Sequence, residues 1–447
     1  MSITTIPTRR RRALAFSLAA DALNSMFAQL VLGGAFFVLF MSEMGLSKGQ
    51  IGFISSLLPF AGILALVSGP AAARWGYRRV FLIAWGLRKI VMATLVLAPL
   101  VLATWGLPAT FAYVSVVFAL FSIGRAFAET ALNPWTLEYI PDSIRGKYQA
   151  VSNILATLSA GVAVAIGSYV IGRVAGLARF QIIVSVGMLC AALAWVMASR
   201  LPGGAPVHQS GGRPPSWRQV LAVANDPDLR RYLAGFALYT FGYVPAASFL
   251  PLFMKDLVGL SEQQVVLLQN GALVGALLSG YVWGWLADRY GGKLVWLAGI
   301  LLRCAAAIGW LLMPRYAPAS LGIAFAIAIF DGVANSSLAI GSTRLLYISI
   351  VPRAQKTEYL ALHYAFAGIV GGIAPLAAGM LLDQLKGLSG RLLFFQLDPF
   401  TPLFLSSLAL YLAGMAVLSR IRAEGSVAGA ARAAAGGLVR RLARSRR

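Results

Sequence analysis

Apolar runs of about 20 residues recur along the chain and are separated by short polar segments rich in Gly, Pro, Lys and Arg. An α-helix rises about 1.5 Å per residue, so a run of that length crosses a hydrocarbon core of about 30 Å. The pattern predicts twelve spanning helices, at 13–40, 50–73, 80–104, 108–135, 148–172, 177–199, 230–253, 263–287, 294–313, 317–343, 358–382 and 399–419. The first run follows Arg9 to Arg12 and contains the small trio Ala20-Asp21-Ala22, which together imitate a cleavable signal peptide. Because the apolar run continues unbroken to Met41, an uncleaved first helix is expected.

The polar segments repeat as well. Gly284-Trp285-Leu286-Ala287-Asp288-Arg289-Tyr290-Gly291-Gly292-Lys293 has a degraded copy 215 positions earlier, from Gly69 to Arg78. Phe40-Met41 with Gly45-Leu46-Ser47 returns as Phe253-Met254 with Gly259-Leu260-Ser261. Pro141, Tyr148 and Ala150 return as Pro352, Tyr359 and Ala361, at a spacing of 211. Three anchors in one order make six plus six helices, expected at 13–200 and 230–420. Residues 201–229, rich in Gly, Pro and polar side chains, read as a linker. The expected fold is an all-α polytopic membrane protein made of two pseudo-symmetric six-helix bundles, and internal repeats of this kind are characteristic of carriers.

With 59% hydrophobic and 12% charged residues, the chain carries more apolar surface than a soluble fold needs. Its net charge of +23 suggests nucleic acid until the charges are placed on the topology. Most of the 38 Lys and Arg then gather on one side, which fixes both termini as cytoplasmic and removes nucleic acid as a partner. The basic N-tail, 1–12, and C-tail, 421–447, lie on that side, and the C-tail either follows the anionic lipid surface or is simply solvated. Cys190 and Cys304 fall within apolar runs, as does His363, while His208 lies in the linker, so no clustered metal site is expected. No nucleophile elbow or P-loop is present. Neither an enzyme nor a bound cofactor is expected.

These features carry a resemblance. The Gly-x-Leu-Ala-Asp-Arg-x-Gly-x-Lys run from Gly284 to Lys293, after the second helix of a half, resembles the signature loop of the major facilitator superfamily. The Pro-x-x-x-Arg-Gly run at Pro141 to Gly146 resembles the loop after helix 4 in many such permeases. The resemblance covers residues 13–420 and implies alternating access, with a latch built from Gly69, Arg74, Gly76, Arg78, Gly284, Asp288, Arg289, Gly291 and Lys293, to which the charge pattern adds Glu358. Gly284 and Gly291 suit a tight reversal and close helix approach. Asp288 is expected beside the positive end of helix 5, near Tyr148. In the first copy the acid position is Ala73, so Glu358 is expected to pair with Arg74 or Arg78 instead.

Charges within spans cost roughly 2.5–3.5 kcal/mol each at a helix centre and seldom persist without a reason. Arg88 and Arg303 each follow the signature acid position by 15 residues, and this equivalence assigns them to the fold. Lys89 is expected to snorkel. Asp21, Arg125, Glu129 and Asp331 have no charged counterpart in the other half, as a binding site requires, and the resemblance places their helices around a central cavity. Arg125 and Glu129, four apart, are expected to pair. Asp331, near mid-span, is the leading candidate for reversible protonation unless a cation answers it, and Asp21 is expected to meet Arg88 or Arg125. Asn24, Gln29, Asn133, Asn153, Tyr239, Tyr243, Asn270, Asn335, His363 and Tyr364 complete a moderately polar, aromatic cavity. The expectation is a proton-coupled secondary transporter of a small molecule in a bacterial inner membrane, with import and export both open. The alternative is a non-transporting receptor or assembly factor of the same fold.

Overall fold

The computed structural model describes residues 8–64, 68, 72, 74–141, 144–206, 217–352, 355–392 and 395–421. Unbroken apolar runs of about 20 residues satisfy their backbone groups away from water as helices, and helices are what form. Among the described residues ten are long and apolar enough to cross a membrane. One of these, Tyr77–Tyr139, breaks at Gly106, whose φ of 74° and ψ of −176° are not helical. The break separates the expected third and fourth spans, here α3 (77–105) and α4 (107–139). The others are α1 (Arg12–Glu43), α5 (Arg145–Arg173), α6 (Ala178–Ser199), α7 (Pro227–Val258), α8 (Glu262–Tyr290), α9 (Gly292–Leu311), α10 (Ser320–Ile350), α11 (Glu358–Gln384) and α12 (Thr401–Ser419). The shorter Lys48–Leu64 is α2, and the remainder of that expected span runs into residues outside the description.

The ends of these helices repeat as the sequence does. Ser47 with Gln50 and Ser261 with Gln264 form capping boxes at the starts of α2 and α8, each satisfying two otherwise orphaned backbone donors. Gly45 and Gly259 precede them at φ of 87° and 82°. Gly76 and Gly291, both at φ 90°, open α3 and α9 in a conformation that excludes most side chains. Three features were not legible in the pattern. Alpha-helix gives way to π-helix at Ala28–Leu32, Met254–Val258 and Leu345–Ile350. A small antiparallel hairpin, β1 (Gly390–Leu392) and β2 (Phe395–Leu397), leads into α12. A short helix, Trp217–Ala222, lies in the linker and touches α11.

Packing obeys the duplication. In the first set α1 packs on α5 and α6, α3 on α4 and α6, and α2 on α4. The second set repeats each contact six helices on: α7 on α11 and α12, α9 on α10 and α12, and α8 on α10. The sets meet through two reciprocal seams, α2 with α11 and α5 with α8. Glycines allow the first seam to close: a Cβ on Gly52 would collide with the Pro375 carbonyl, and one on Gly379 with that of Lys48. Large apolar side chains such as Leu278, Tyr281, Ile90 and Leu189 remain exposed on the outer faces, where lipid is their solvent.

One end of the bundle carries Arg74, Arg78, Arg79, Arg145, Lys147, Arg289, Lys293 and Arg344 and is the basic end. Among the described residues, the polar side-chain contacts between the two sets all lie toward the opposite end. Arg179 of α6 binds Glu262 of α8 at 2.6 Å, and Lys255 of α7 approaches Glu43 of α1 at 3.6 Å. Arg179 also reaches Glu43 at 3.2 Å, and Lys255 binds Glu262 at 2.5 Å, so two cations and two carboxylates close a ring. Asp383 of α11 accepts from the backbone amides of Lys48 and Gly49 at 3.2 and 2.8 Å, at the positive start of α2. Gln29 pairs with Gln269, and Ser168 donates to the Gln263 carbonyl at 3.1 Å.

Candidate functional site

Each set of six helices encloses a pocket, and both pockets use the same helices in the same order: α1, α3, α4 and α6 in the first set, α7, α9, α10 and α12 in the second. An arginine projects into each from the same register, Arg88 on α3 and Arg303 on α9. The two differ in what answers their charge.

Arg303 is 3% exposed and ion-paired with Asp331, and it donates to Asn335 at 3.2 Å. Its guanidinium lies 4.2 Å above the ring of Tyr243, which stacks with Tyr239, and Tyr239 in turn stacks with Tyr411. The expectation of reversible protonation at Asp331 holds only where no cation answers it. The structure supplies that cation from one helix away, so the pocket is electrically closed.

Arg88 is 6% exposed, with the Trp85 ring 5.9 Å and the Phe121 ring 5.2 Å from its guanidinium, and its buried Nε, like that of Arg303, has no hydrogen-bond partner. No ion pair reaches it among the described residues. Gly124 of α4 makes room, since a Cβ there would lie 2.9 Å from the Arg88 Cβ. Lys89 does not snorkel. It is 4% exposed, donates to Asn24 Oδ1 at 3.3 Å and the Ala191 carbonyl at 3.1 Å, and stands 3.8 Å from the Trp85 ring. Nor does Asp21 meet Arg88 or Arg125. Its carboxylate accepts from Ser152 at 2.9 Å and Tyr148 at 3.4 Å, and Tyr148 also donates to Ser17, which bonds Tyr139. Arg125 and Glu129 do pair, with Glu129 more than half exposed at the mouth of this pocket.

The remaining candidates scatter. Gln29 and Asn270 lie at the seams, where Gln29 meets Gln269 and the Asn270 Oδ1, across from Gly161, is buried without a partner. His363 is buried among Tyr232, Phe236 and Tyr364, outside both pockets, with its Nδ1 unpartnered, and Tyr364 bonds Tyr347. Asn133 and Asn153 make local contacts within their own helices. The two-half equivalence that assigned Arg88 and Arg303 to the fold, and the stem length that made Lys89 a snorkeller, hid two arginines that line the pockets and a lysine buried beside one of them. Their cost within spans was the available signal.

Of the latch residues, Gly69 lies outside the described set, as does Ala73. Asp288 binds Arg344 of α10, within its own six-helix set, instead of the start of α5. Lys293 donates to the carbonyls of Ser419 and Ile421 at 2.7 Å, capping the end of α12, and Arg289 lies over Trp285 and Tyr290. Arg78 donates to the Ser199 carbonyl at 2.6 Å, and Arg74 is exposed. Among the described residues no ion pair joins Glu358 to either arginine. Gly291 makes the reversal; Gly284 sits within α8 with open space around it.

A duplicated bundle of apolar helices, with charged pockets inside each half, defines a multi-pass membrane transporter. The chain belongs to the Major Facilitator Superfamily, whose family model matches residues 14–278 and again 232–446. A probable nitrate/nitrite antiporter, NarK1, from Thermus thermophilus is 30% identical over 317 residues, covering 67% of this chain and 66% of the relative. Among solved structures, a bacterial homologue of the iron transporter ferroportin in its inward-facing state superposes with a TM-score of 0.68 at 14% identity, covering 94% of this chain and 99% of that one. The nucleoside transporter NupG gives 0.63 at 16% identity over 92% and 99%. A bacterial homologue of the lysosomal transporter Spinster, inward-facing and unoccupied, gives 0.64 at 16% over 93% and 95%. At these identities the structural likenesses speak for the fold alone.

Proposed function

We propose that the protein is a secondary active transporter that moves a small molecule across the cytoplasmic membrane by alternating access. Its two units, 13–200 and 230–420, rock about the seams on the linker 201–229, and the basic end faces the cytoplasm, following the positive-inside rule. The observation that carries this reading is that, among the described residues, the polar bonds seen between the units lie toward the end opposite the basic one. This is the pattern of a conformer closed outside and open inside. Protons are the proposed coupling ion. Asp21, half-buried against hydroxyl donors and in no ion pair among the described residues, is the group that binds and releases them, whereas Asp331 is held by Arg303. Anionic lipids surround the basic end, and the relative's name puts small inorganic anions first among substrates to try.

Counterflow in proteoliposomes with an imposed pH gradient tests the reading. Transport driven by the gradient in wild type, with exchange retained but gradient dependence lost in Asp21→Asn, is the expected result. Gradient-driven transport surviving in the variant removes Asp21 from the mechanism. Ala73 in place of the signature acid keeps a non-transporting receptor as the second reading. Absence of any exchange in protein that binds ligand favours that receptor.

A further inference from the structure

We infer that a groove at the basic end, between the start of α3 and the first residues of the linker, is a binding site for one anionic phospholipid of the cytoplasmic leaflet. The leaflet follows from the orientation proposed above; the site goes beyond the transporter reading and does not depend on what is carried.

The groove has the shape of a lipid seat. Its volume is about 790 Å³, and Trp75, Arg78, Arg79, Leu82, Ile83 and Pro206 are among its lining residues. Pockets of about 300–1,000 Å³ take drug-sized ligands, so a free phosphate would leave this one largely unfilled. The linker wall is fixed. The Pro202 carbonyl accepts from the Trp135 indole at 2.9 Å, the Gly204 amide donates to Glu138 at 2.6 Å, and the Gly204 carbonyl accepts from the Arg78 amide at 3.3 Å. Gly204 has a φ of 76°, and a Cβ on it would lie 2.5 Å from that of Arg78, so linker backbone lies directly against the start of α3. From Ile83 an exposed apolar stripe continues along α3 through Leu87 and Ile90, at i, i+4 and i+7. Trp75, 66% exposed, stands at the other end of the groove. An exposed Trp where a spanning helix begins sits at headgroup level. Cations and indole at that level, followed by an apolar track toward the membrane centre, match a phosphate and its acyl chain.

The two halves differ here. The offset of 215 between the signature copies takes Trp75 to Tyr290, Arg78 to Lys293, Arg79 to Leu294 and Ile83 to Ala298. Arg78 and Lys293 share a task, donating to the carbonyls of Ser199 at the end of α6 and Ser419 at the end of α12. That task belongs to the fold. Arg79 has no cationic counterpart, is exposed, and is in no ion pair among the described residues. Glu138, the carboxylate in the groove wall, is engaged by the Gly204 amide. Two arginines in the first turn of α3 also run against the helix dipole, a cost that an anion above them offsets. Guanidinium groups present planar forks to phosphate oxygens, and basic pockets beside transmembrane helices on the cytoplasmic side hold anionic headgroups. A zwitterionic lipid would bring its own cation to a groove that already has two.

Thermal unfolding of the purified, delipidated full chain in a non-ionic detergent tests the site, with phosphatidylglycerol, phosphatidylcholine of the same acyl chains, or soluble glycerol phosphate added. Phosphatidylglycerol is expected to stabilise saturably, phosphatidylcholine much less, and glycerol phosphate, which lacks the chains, hardly at all. Arg79→Gln should raise the phosphatidylglycerol midpoint roughly tenfold, Trp75→Ala should raise it as well, and Arg79→Lys, which keeps the charge, should fall between wild type and Arg79→Gln. Lys147→Gln removes the same charge from the basic end outside the groove and should leave the midpoint unchanged. Without lipid these variants should unfold as wild type does, since all three side chains are exposed. No shift with phosphatidylglycerol, a shift as large with glycerol phosphate, or a midpoint that Arg79→Gln leaves intact overturns the site. An equal loss in Lys147→Gln overturns it too, because general attraction to the basic end would then suffice. Counterflow under the pH gradient is read separately, so failure here leaves the transporter reading standing.

Discussion

Removing the charge of Glu262 should open the outer end of the molecule. Glu262 is 10% exposed at its side chain and holds Arg179, 14% exposed, across the units at 2.6 Å. Two unit charges about 4 Å apart attract by about 4 kcal/mol at an effective dielectric of 20, before desolvation is subtracted. Exposed pairs retain about 0–1 kcal/mol and breaking a buried pair costs about 3–5. Glu43 remains 3.2 Å from Arg179 to take up part of the loss. The expected cost in Glu262→Gln is therefore about 1–2 kcal/mol, and about 1.4 kcal/mol is a tenfold change in an equilibrium. On the proposed alternating-access reading, the Arg179 bond breaks when the outer end opens, so its loss shifts population toward the open state. Spin labels at Trp105 and Leu312, exposed at the outer ends of α3 and α9, measure that population by pulsed dipolar spectroscopy. Cys190 and Cys304 are buried and are replaced beforehand. A longer-distance component should grow roughly tenfold in Glu262→Gln. An unchanged distance distribution in Glu262→Gln would refute the ring as a gate.

Asp331→Asn strands Arg303 and should lower stability by roughly 3–5 kcal/mol, while the double change Asp331→Asn with Arg303→Gln recovers most of it; thermal unfolding decides, and a harmless single variant contradicts the pairing. Gly52→Leu places a side chain against the Pro375 carbonyl at the α2–α11 seam and should lengthen the same label distance without changing the internal packing of either unit. Gly291→Ala strains a residue at φ 90° and should cost on the order of 1–3 kcal/mol, whereas Gly284→Ala, with open space around it, should be silent. Equal melting temperatures for those two variants would dismiss the backbone argument.

The helices, their six-plus-six order and the glycine punctuation were legible because each depends on local sequence: an apolar run, a Ser-x-x-Gln cap, a glycine where φ is positive. The break at Gly106 fell where the pattern separated the third and fourth spans. Partners were not legible. Whether Arg303 faces Asp331 depends on the rotational phase of α9 against α10, and residues 28 apart carry no mark of it. Asp21 illustrates the same gap, since both arginines proposed for it exist while the hydroxyls of Ser152 and Tyr148 reach it instead. The resemblance placed Asp288 across a seam; in this conformer it bonds within its own unit to Arg344. A static sequence motif does not say which of two states its bonds belong to.

Tyr148 and Tyr359, one the copy of the other, each tie the fifth helix of their unit to the first: Tyr148 through Ser17 and Asp21 of α1, Tyr359 through Asp226 at 2.8 Å at the start of α7. α5 and α11 are also among the helices that border the opposite unit. On the proposed rocking motion, force applied at a seam is handed directly to α1 or α7, and the two helices on each side travel as one lever arm. The span from α1 to α5 should stay constant while α5 slides on α8, which makes the tyrosine clasps the rivets of the machine and the glycine seams its bearings.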